Sequence, residues 1–556
     1  MTTDIEIARS VKMRPIQEIA ELLGVPVAQL ELFGHYKAKL PLSLINAEKV
    51  KRCKLILVSA ISPTPAGEGK TTMSIGLTQG LNKIGRKTTV VLREPSLGPV
   101  FGMKGGATGG GWSQVLQMDD INLHFTGDFG AIEKAHNLLA ALIDNELQSR
   151  TSSLNLNSRS VVWRRVFDMN DRALRNIVVG LGGSSGGVPR ETGFDITAAS
   201  EIMAILCLSK DLGDLKKRIG NIFVGFTHDD KPVFVRDLSA QGAMTLLLKD
   251  AIKPNLVQTI EGTPAIIHGG PFANIAQGTN SIIATKMGMS LSDYVVTEAG
   301  FGFDLGAEKF LDIKCQVAGI GPSAVVIVAT LRALKYHGGA DLKSLNDPNP
   351  KAIELGLANL DKHLENVAKF HLRPVVAINR FTNDTPPEIE LIQRHCQAKG
   401  IPAVVANVWA DGGKGAIDLA NAVAQIAESN PPPYQPLYDW NLPIKKKIET
   451  ICTQVYGASG VEYLPKAKAD LRTIKKLGLE KLPICMAKTQ KSLSDNPELI
   501  GRPTNFVVTV RQIEIAAGAG FVVPITGEMM RMPGLPDEPS AKKMDIDDNG
   551  NITGLS

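Results

Sequence analysis

The sequence predicts an α/β protein: a doubly wound, mostly parallel sheet with an inserted lobe and a smaller C-terminal lobe. Three observations predict it. Short apolar runs rich in β-branched residues recur along the chain, nearly continuous in hydrophobicity, as strands buried on both faces require. Helical patterns separate them; Ile353, Leu357, Leu360, Leu364, Val367 and Phe370 recur at spacings of three and four. One run, residues 55–61, leads through a glycine-rich loop with Gly-Lys-Thr into a helical pattern, the layout of a P-loop NTPase-like core.

Taken in order, residues 1–50 read as a helical lead-in, with Pro15 at a helix start and Ile16, Ile19, Leu22 and Leu23 on one face. After the run at 55–61 comes Pro63-Thr64-Pro65-Ala66-Gly67-Glu68-Gly69-Lys70-Thr71-Thr72. Free backbone N–H groups and a helix N-terminus cradle polyphosphate, the lysine reaches the β/γ-phosphates, and the first threonine holds Mg²⁺. Thr64, Pro65, Ala66, Gly67, Glu68, Gly69, Lys70 and Thr71 are therefore the candidate nucleotide-binding residues, and use of ATP or GTP is expected. The leading glycine of the pattern is Thr64 here, while Pro63 and Pro65 stiffen the entry. Further strands are expected at 88–92, 294–297, 324–329, 374–378 and 403–408. The stretch from about 145 to 240 breaks this rhythm and reads as an insertion, and past Pro431-Pro432-Pro433 the alternation weakens. The expected division is a nucleotide-binding core over 1–430 and a C-terminal lobe over 431–556.

Composition narrows the class. A chain of 556 residues exceeds one ordinary core, and 44% hydrophobic with 21% charged residues describes a globular protein. The net charge of +5 comes without a lysine/arginine tract suited to nucleic acid. Lys445-Lys446-Lys447 reads as a solvated helix face. The opening residues carry acids where a secretory signal needs bases, and no apolar window is long enough for a membrane helix, so a cytoplasmic protein is expected. The six cysteines are scattered, without metal-ligand spacing; they read as reduced, mostly buried thiols, and no zinc site is expected.

In a parallel sheet, ligands sit beyond the carboxyl ends of the strands. Arg93 follows the run at 88–92, where its planar fork could clamp a carboxylate or acyl phosphate, or pair with a neighbour such as Glu94. The stretch Lys104-Gly105-Gly106-Ala107-Thr108-Gly109-Gly110-Gly111-Trp112 reads as an anion-cradling loop with Lys104 beside it, or as a surface loop. Asp119, Asp120, Asp128, Glu298 and Asp304 are acids that could sit beside a Mg²⁺. Phe381 and Trp409 end two runs; on neighbouring strands they could sandwich a flat heterocycle, or simply cap the core.

These motifs together resemble the formate–tetrahydrofolate ligase family nearly end to end. The matching stretches are 64–72, 93–98, 102–111, 120–128, 188–195, 253–258, 268–276, 297–309, 328–339, 486–490 and 517–526. The resemblance implies activation of formate by MgATP to formyl phosphate, then transfer of the formyl group to N10 of tetrahydrofolate. Carried over residue by residue, it implies Lys70 and Thr71 on phosphate and Mg²⁺, and Arg93, with Lys104, on formate and formyl phosphate. It places Phe381 and Trp409 around the pterin and Glu94 near an activating monovalent cation, K⁺ or NH₄⁺. It also implies a homotetramer. The chain departs from the family pattern at Thr108 and Trp112, where alanine and tyrosine are usual, and at Gly130, where histidine is usual. It departs again at Gln277-Gly278-Thr279-Asn280 for His-Gly-Cys-Asn, and at Lys491-Ser492-Leu493-Ser494 for Tyr-Ser-Phe-Ser. These changes fall inside motifs, so the alternative is a divergent paralogue that forms an acyl phosphate but uses another acceptor or works weakly. A nucleotide-binding switch without net chemistry leaves Arg93 and the aromatic pair without a purpose.

Overall fold

In the computed structural model, residues 3–65, 67–102, 108–151 and 154–555 are described. Ten strands form the main sheet: β1 (Glu31–Leu32), β2 (Ala38–Lys39), β3 (Lys54–Ala60), β4 (Thr88–Leu92), β5 (Asn255–Gln258), β6 (Pro264–Ile267), β7 (Tyr294–Glu298), β8 (Ala324–Ala329), β9 (Pro374–Asn379) and β10 (Ala403–Ala406). Their order is β1-β2-β5-β6-β4-β7-β3-β8-β9-β10. Every pairing from β6 to β10 is parallel, whereas β1, β2 and β5 extend one edge antiparallel. The α/β class with a mostly parallel sheet is thus as expected.

The strands are buried on both faces because their residues alternate between two cores. Ile56 and Val58 of β3 pack with Met73, Leu77 and Val423. Leu55 and Leu57 belong to the larger core that includes Phe303, Leu331 and Val367. Burying each such aliphatic side chain contributes about 1.5–3 kcal/mol, which is why the runs read as continuous apolar sequence rather than as alternation. Three helices flank the carboxyl ends of the central strands: α1 (Lys70–Lys83), α2 (Leu331–His337) and α3 (Pro350–Lys369). Asn349 caps α3 by accepting from the Ala352 amide, and Pro350 opens it at a position where the missing N–H costs nothing.

Several boundaries differ from the expectation. The first fifty residues hold helices at Asp4–Ser10 and Ile16–Leu23, but also β1 and β2, which are too short to show a period. The run at 403–408 stops as a strand at Ala406, and Val408 opens a short helix, Val408–Asp411. Lys445 and Lys446 are exposed, but Lys447 is buried and donates to the carbonyls of Trp440, Glu480 and Leu482 at 2.9, 3.0 and 2.7 Å. That desolvation pulls its pKa down to about 8.

Among the described residues, no strand between Leu92 and Asn255 joins the main sheet; that interval carries four small pairs, including the hairpin of Ile177–Val179 with Arg190–Thr192. Beyond residue 430 the chain builds a separate sheet of β11 (Gly460–Tyr463), β12 (Val507–Ala516) and β13 (Phe521–Thr526). All six cysteines are buried and unbridged. Among the described residues no helix is long and apolar enough to cross a membrane.

Candidate active site

The loop between β3 and α1 is shaped by its own side chains. Gly67 and Gly69 have φ of +82° and +70°, values that L side chains rarely adopt. A Cβ on Gly69 would also lie 2.7 Å from the Asn379 amide nitrogen. Glu68 turns inward: one carboxylate oxygen accepts the Thr64 amide at 2.7 Å, and the other accepts the Thr330 hydroxyl. Burial raises the pKa of this carboxyl. Asn379, at the end of β9, donates to the Glu68 carbonyl at 3.1 Å. Thr64 is buried in this arrangement, whereas Pro65, Gly67 and Gly69 are exposed and Lys70 and Thr71 half-buried at the start of α1. Ala66 lies outside the described residues.

Three strand ends converge beside this helix start. The Thr71 hydroxyl donates to Glu298 Oε2 at 2.9 Å, and Glu298 Oε1 is 3.6 Å from a terminal nitrogen of Arg93. Glu298 ends β7, which lies between β3 and β4, so the carboxylate sits between the loop after β3 and the arginine after β4. Arg93 therefore pairs with Glu298 of the adjacent strand, and not with its chain neighbour Glu94. Its side chain is 22% exposed, leaving part of the guanidinium open. Asp304 is committed elsewhere, paired with the buried Lys488 at 2.9 Å.

Behind Arg93 the carboxylates are internal. Glu94 is 4% exposed, and its Oε2 has no hydrogen-bond partner among the described residues. Desolvation, with Asp128 and Asp168 nearby, pushes its pKa well up, against the pull of Lys39. Asp128 itself is held by the buried Lys39 ammonium at 2.8 Å and the Asn255 amide at 2.9 Å. Lys37 pairs with Asp120. Two lysines of the N-terminal strand segment thus neutralise acids that the sequence pattern set beside Mg²⁺.

The glycine-rich stretch has a packing reason in its described half. Gly111 has φ +57°, a Cβ added there would overlap the Trp409 backbone and lie 2.8 Å from its ring, and the Trp112 amide donates to the Trp409 carbonyl at 2.8 Å. The flanking Gly110 has the Trp409 ring 3.4 Å from where a Cβ would stand. Trp409 remains 43% exposed, so the loop grips one side of it and leaves the rest open. Phe381 follows β9, whose partner in register is β10, and the Arg332 guanidinium lies 3.8 Å over its ring. Lys104 lies outside the described residues.

The departures from the family pattern fall in different settings. Gly130 has open surroundings; a Cβ added there would find the Lys134 ammonium, at 3.8 Å, as its nearest neighbour. Gln277 is fully buried and donates to the Thr279 carbonyl at 3.5 Å, while Lys491 is exposed. Thr108 is buried and Trp112 is 42% exposed.

The structure thus brings Thr71, Glu298 and Arg93 together, ties Thr64 to Glu68, and sets Phe381 and Trp409 at the ends of adjacent strands. Lys39, Asn379 and Thr330 were not legible as site residues; each acts across at least 89 positions of sequence, and no local pattern marks such a partner. A family model described as formate–tetrahydrofolate ligase matches residues 2–556. The chain belongs to that family and is an ATP-dependent ligase.

Proposed function

From this membership we propose that the chain activates formate as formyl phosphate and passes the formyl group to N10 of tetrahydrofolate. The observation that carries the reading is the Thr71–Glu298–Arg93 chain at the carboxyl ends of β3, β7 and β4, the place where ligands of parallel sheets bind. In this reading residues 64–71 form a P-loop, with Lys70 on the ATP phosphates and Thr71 on Mg²⁺. A formate oxygen attacks the γ-phosphorus and ADP leaves. N10 then attacks the formyl carbon, phosphate leaves, and N10 loses its proton. Hydroxide is a poor leaving group from formate and phosphate a good one, which is the reason for the first step. Arg93, with Lys104, stabilises the negative charge that shifts in both halves, and Phe381 and Trp409 hold the pterin.

Glu94 suits the monovalent cation that the family uses, since a buried carboxylate oxygen without a partner is a place for a positive charge. Such an ion, K⁺ or NH₄⁺, would supply charge neutralisation there. We further propose the division into a core over 1–430, with an insertion at about 145–240, and a C-terminal lobe over 431–556, in a cytoplasmic homotetramer.

A second reading, a divergent paralogue with another acceptor or weak activity, is favoured by Gly130, whose surroundings leave room where the family carries histidine. One assay separates the two: ADP release with MgATP and formate, with and without tetrahydrofolate, alongside formation of 10-formyltetrahydrofolate. Folate-dependent ADP release matched by formylated folate supports the ligase. Formate-dependent ADP release without formylated folate moves the reading to the paralogue.

A further inference from the structure

Ser62 stands at the exit of β3, two residues before Thr64, and every polar group it has is held by α2 or α3. Its amide donates to Asn359 Oδ1 at 3.2 Å and its carbonyl accepts from His337 Nε2 at 2.9 Å. Its hydroxyl accepts from the Asn359 amide nitrogen and faces His363 Nε2, both at 3.1 Å. The same two residues, His337 and Asn359, clamp a distant backbone unit in the same way. Asn359 donates to the Gly501 carbonyl at 2.7 Å, and the Gly501 amide donates to His337 Nδ1 at 3.1 Å. Facing a carbonyl with one nitrogen and an amide with the other, His337 must be neutral with its proton on Nε2.

Ser62, Asn359 and His363 are fully or almost fully buried, and His337 is 5% exposed, so water cannot replace these bonds. Helix α2 extends the connection: Thr330, which caps its start, holds Glu68 of the loop, while His337, its last residue, holds Ser62. On the far side, Gly501 has φ +74° and its neighbour Arg502 makes a two-pronged bond to Glu365 of α3, both arms at 2.8 Å. The segment that leads into Gly501 starts at Lys488, whose ammonium pairs with Asp304.

We propose that His337 and Asn359 are positioning residues that set the entry of the 64–71 loop and tie it to Gly501 of the C-terminal part of the chain. The inference rests on the reading of that loop as the ATP site. The two residues do not reach the substrate in this role; they fix the backbone from which the loop departs. Because the clamp is shared, coupling runs both ways: a nucleotide held by the loop strengthens the hold on Gly501, and loosening Gly501 weakens the nucleotide.

The test uses the full chain with MgADP as probe. His337→Phe fills the space without the two hydrogen bonds, and Asn359→Leu does the same for the amide. Each should raise the Kd for MgADP by about tenfold, the worth of one or two buried hydrogen bonds, with the KM for formate at saturating ATP unchanged. In the wild type, MgADP should slow hydrogen exchange at the Gly501 amide several-fold more than at the amides of the β11–β12–β13 sheet, whereas general stabilisation by the ligand would slow both alike. If a variant fails to fold, the wild-type exchange measurement decides alone. Folded variants with unchanged MgADP affinity, or a Gly501 amide slowed by MgADP no more than those of the sheet, overturn this inference alone. A wild type that binds no MgADP overturns the loop reading as well.

Discussion

The Thr71 hydroxyl and the Glu298 carboxylate meet at 2.9 Å across 227 residues of sequence. The contact exists because β7 inserts between β3 and β4, so the acid at its end lies next to the first turn of α1. A carboxylate 3% exposed in such a place needs compensation, and it has a hydroxyl on one oxygen and Arg93 beside the other.

Removing the charge while keeping the shape isolates that role. Glu298→Gln should lower kcat/KM for ATP by about ten- to a hundredfold, since one charged hydrogen bond to Thr71 and the orientation of Arg93 are both weakened. Steady-state ADP release measures it, and a loss below about twofold would show that the carboxylate is only packing.

Arg93→Lys keeps a positive charge but loses the planar fork. We expect MgATP affinity within about threefold of the wild type and formate-dependent ADP release lowered at least about a hundredfold. Were nucleotide affinity to collapse instead, Arg93 would belong to the nucleotide and not to formate.

Gly111→Ala tests the grip on Trp409. The position combines φ +57° with the Trp409 backbone where a methyl would stand. The variant should lose about 1–3 kcal/mol of stability, read as a lower Tm, and its tetrahydrofolate affinity should fall as Trp409 shifts. Full folate affinity with a lowered Tm would place Trp409 outside the folate site.

Legibility in the sequence tracks distance along the chain. The strand at 88–92 is five consecutive buried residues, and such a run announces itself. The loop after β3 is local too, with its glycines, lysine and threonine in one window. By contrast, β1 and β2 have two residues each, and Lys39 looks like any surface lysine until Asp128 and Asn255 close around it. Glu298 could be suspected only as one acid among several, because the strand order that brings it to Thr71 is a property of the crossovers. Glu68 misleads in the other direction: it sits inside the phosphate-loop pattern, yet its carboxylate braces the loop from within.

Buried histidines weaken the fold toward acid. His268, His337 and His363 each have their pKa pulled from 6.5 down to about 4, first of all by burial. The unfolded chain therefore takes up protons that the folded chain refuses. The histidines' contribution should be constant above about pH 6.5 and fall as the pH drops from there toward 4, by about 1.4 kcal/mol per unit for each histidine. Thermal melts between about pH 4 and 7.5 check this; His268→Gln, whose ring bonds Ser281 and the Ala251 carbonyl, should melt lower at about pH 7 but show a shallower decline. An unchanged slope in that variant would remove His268 from the account.

Glu308 and Asp312 act at the opposite end of the scale. Both are fully buried and one helical turn apart, Asp312 within the π-helical stretch Phe310–Cys315, and Asp312 also accepts the Leu437 amide at 2.7 Å. Burial is the first cause that raises both: Glu308 well above its ordinary value, with Asp312 as a neighbouring charge, and Asp312 to about 7. At neutral pH the folded pair therefore retains protons that the unfolded chain, with ordinary carboxyls, has released. This contribution is complete below about pH 4 and is lost as the pH rises toward and past about 7. Glu308→Gln carries no proton to lose, so its Tm relative to the wild type should climb steadily between about pH 6 and 8.5. Melting curves that stay parallel over that range would mean the pair does not hold its protons in the folded state.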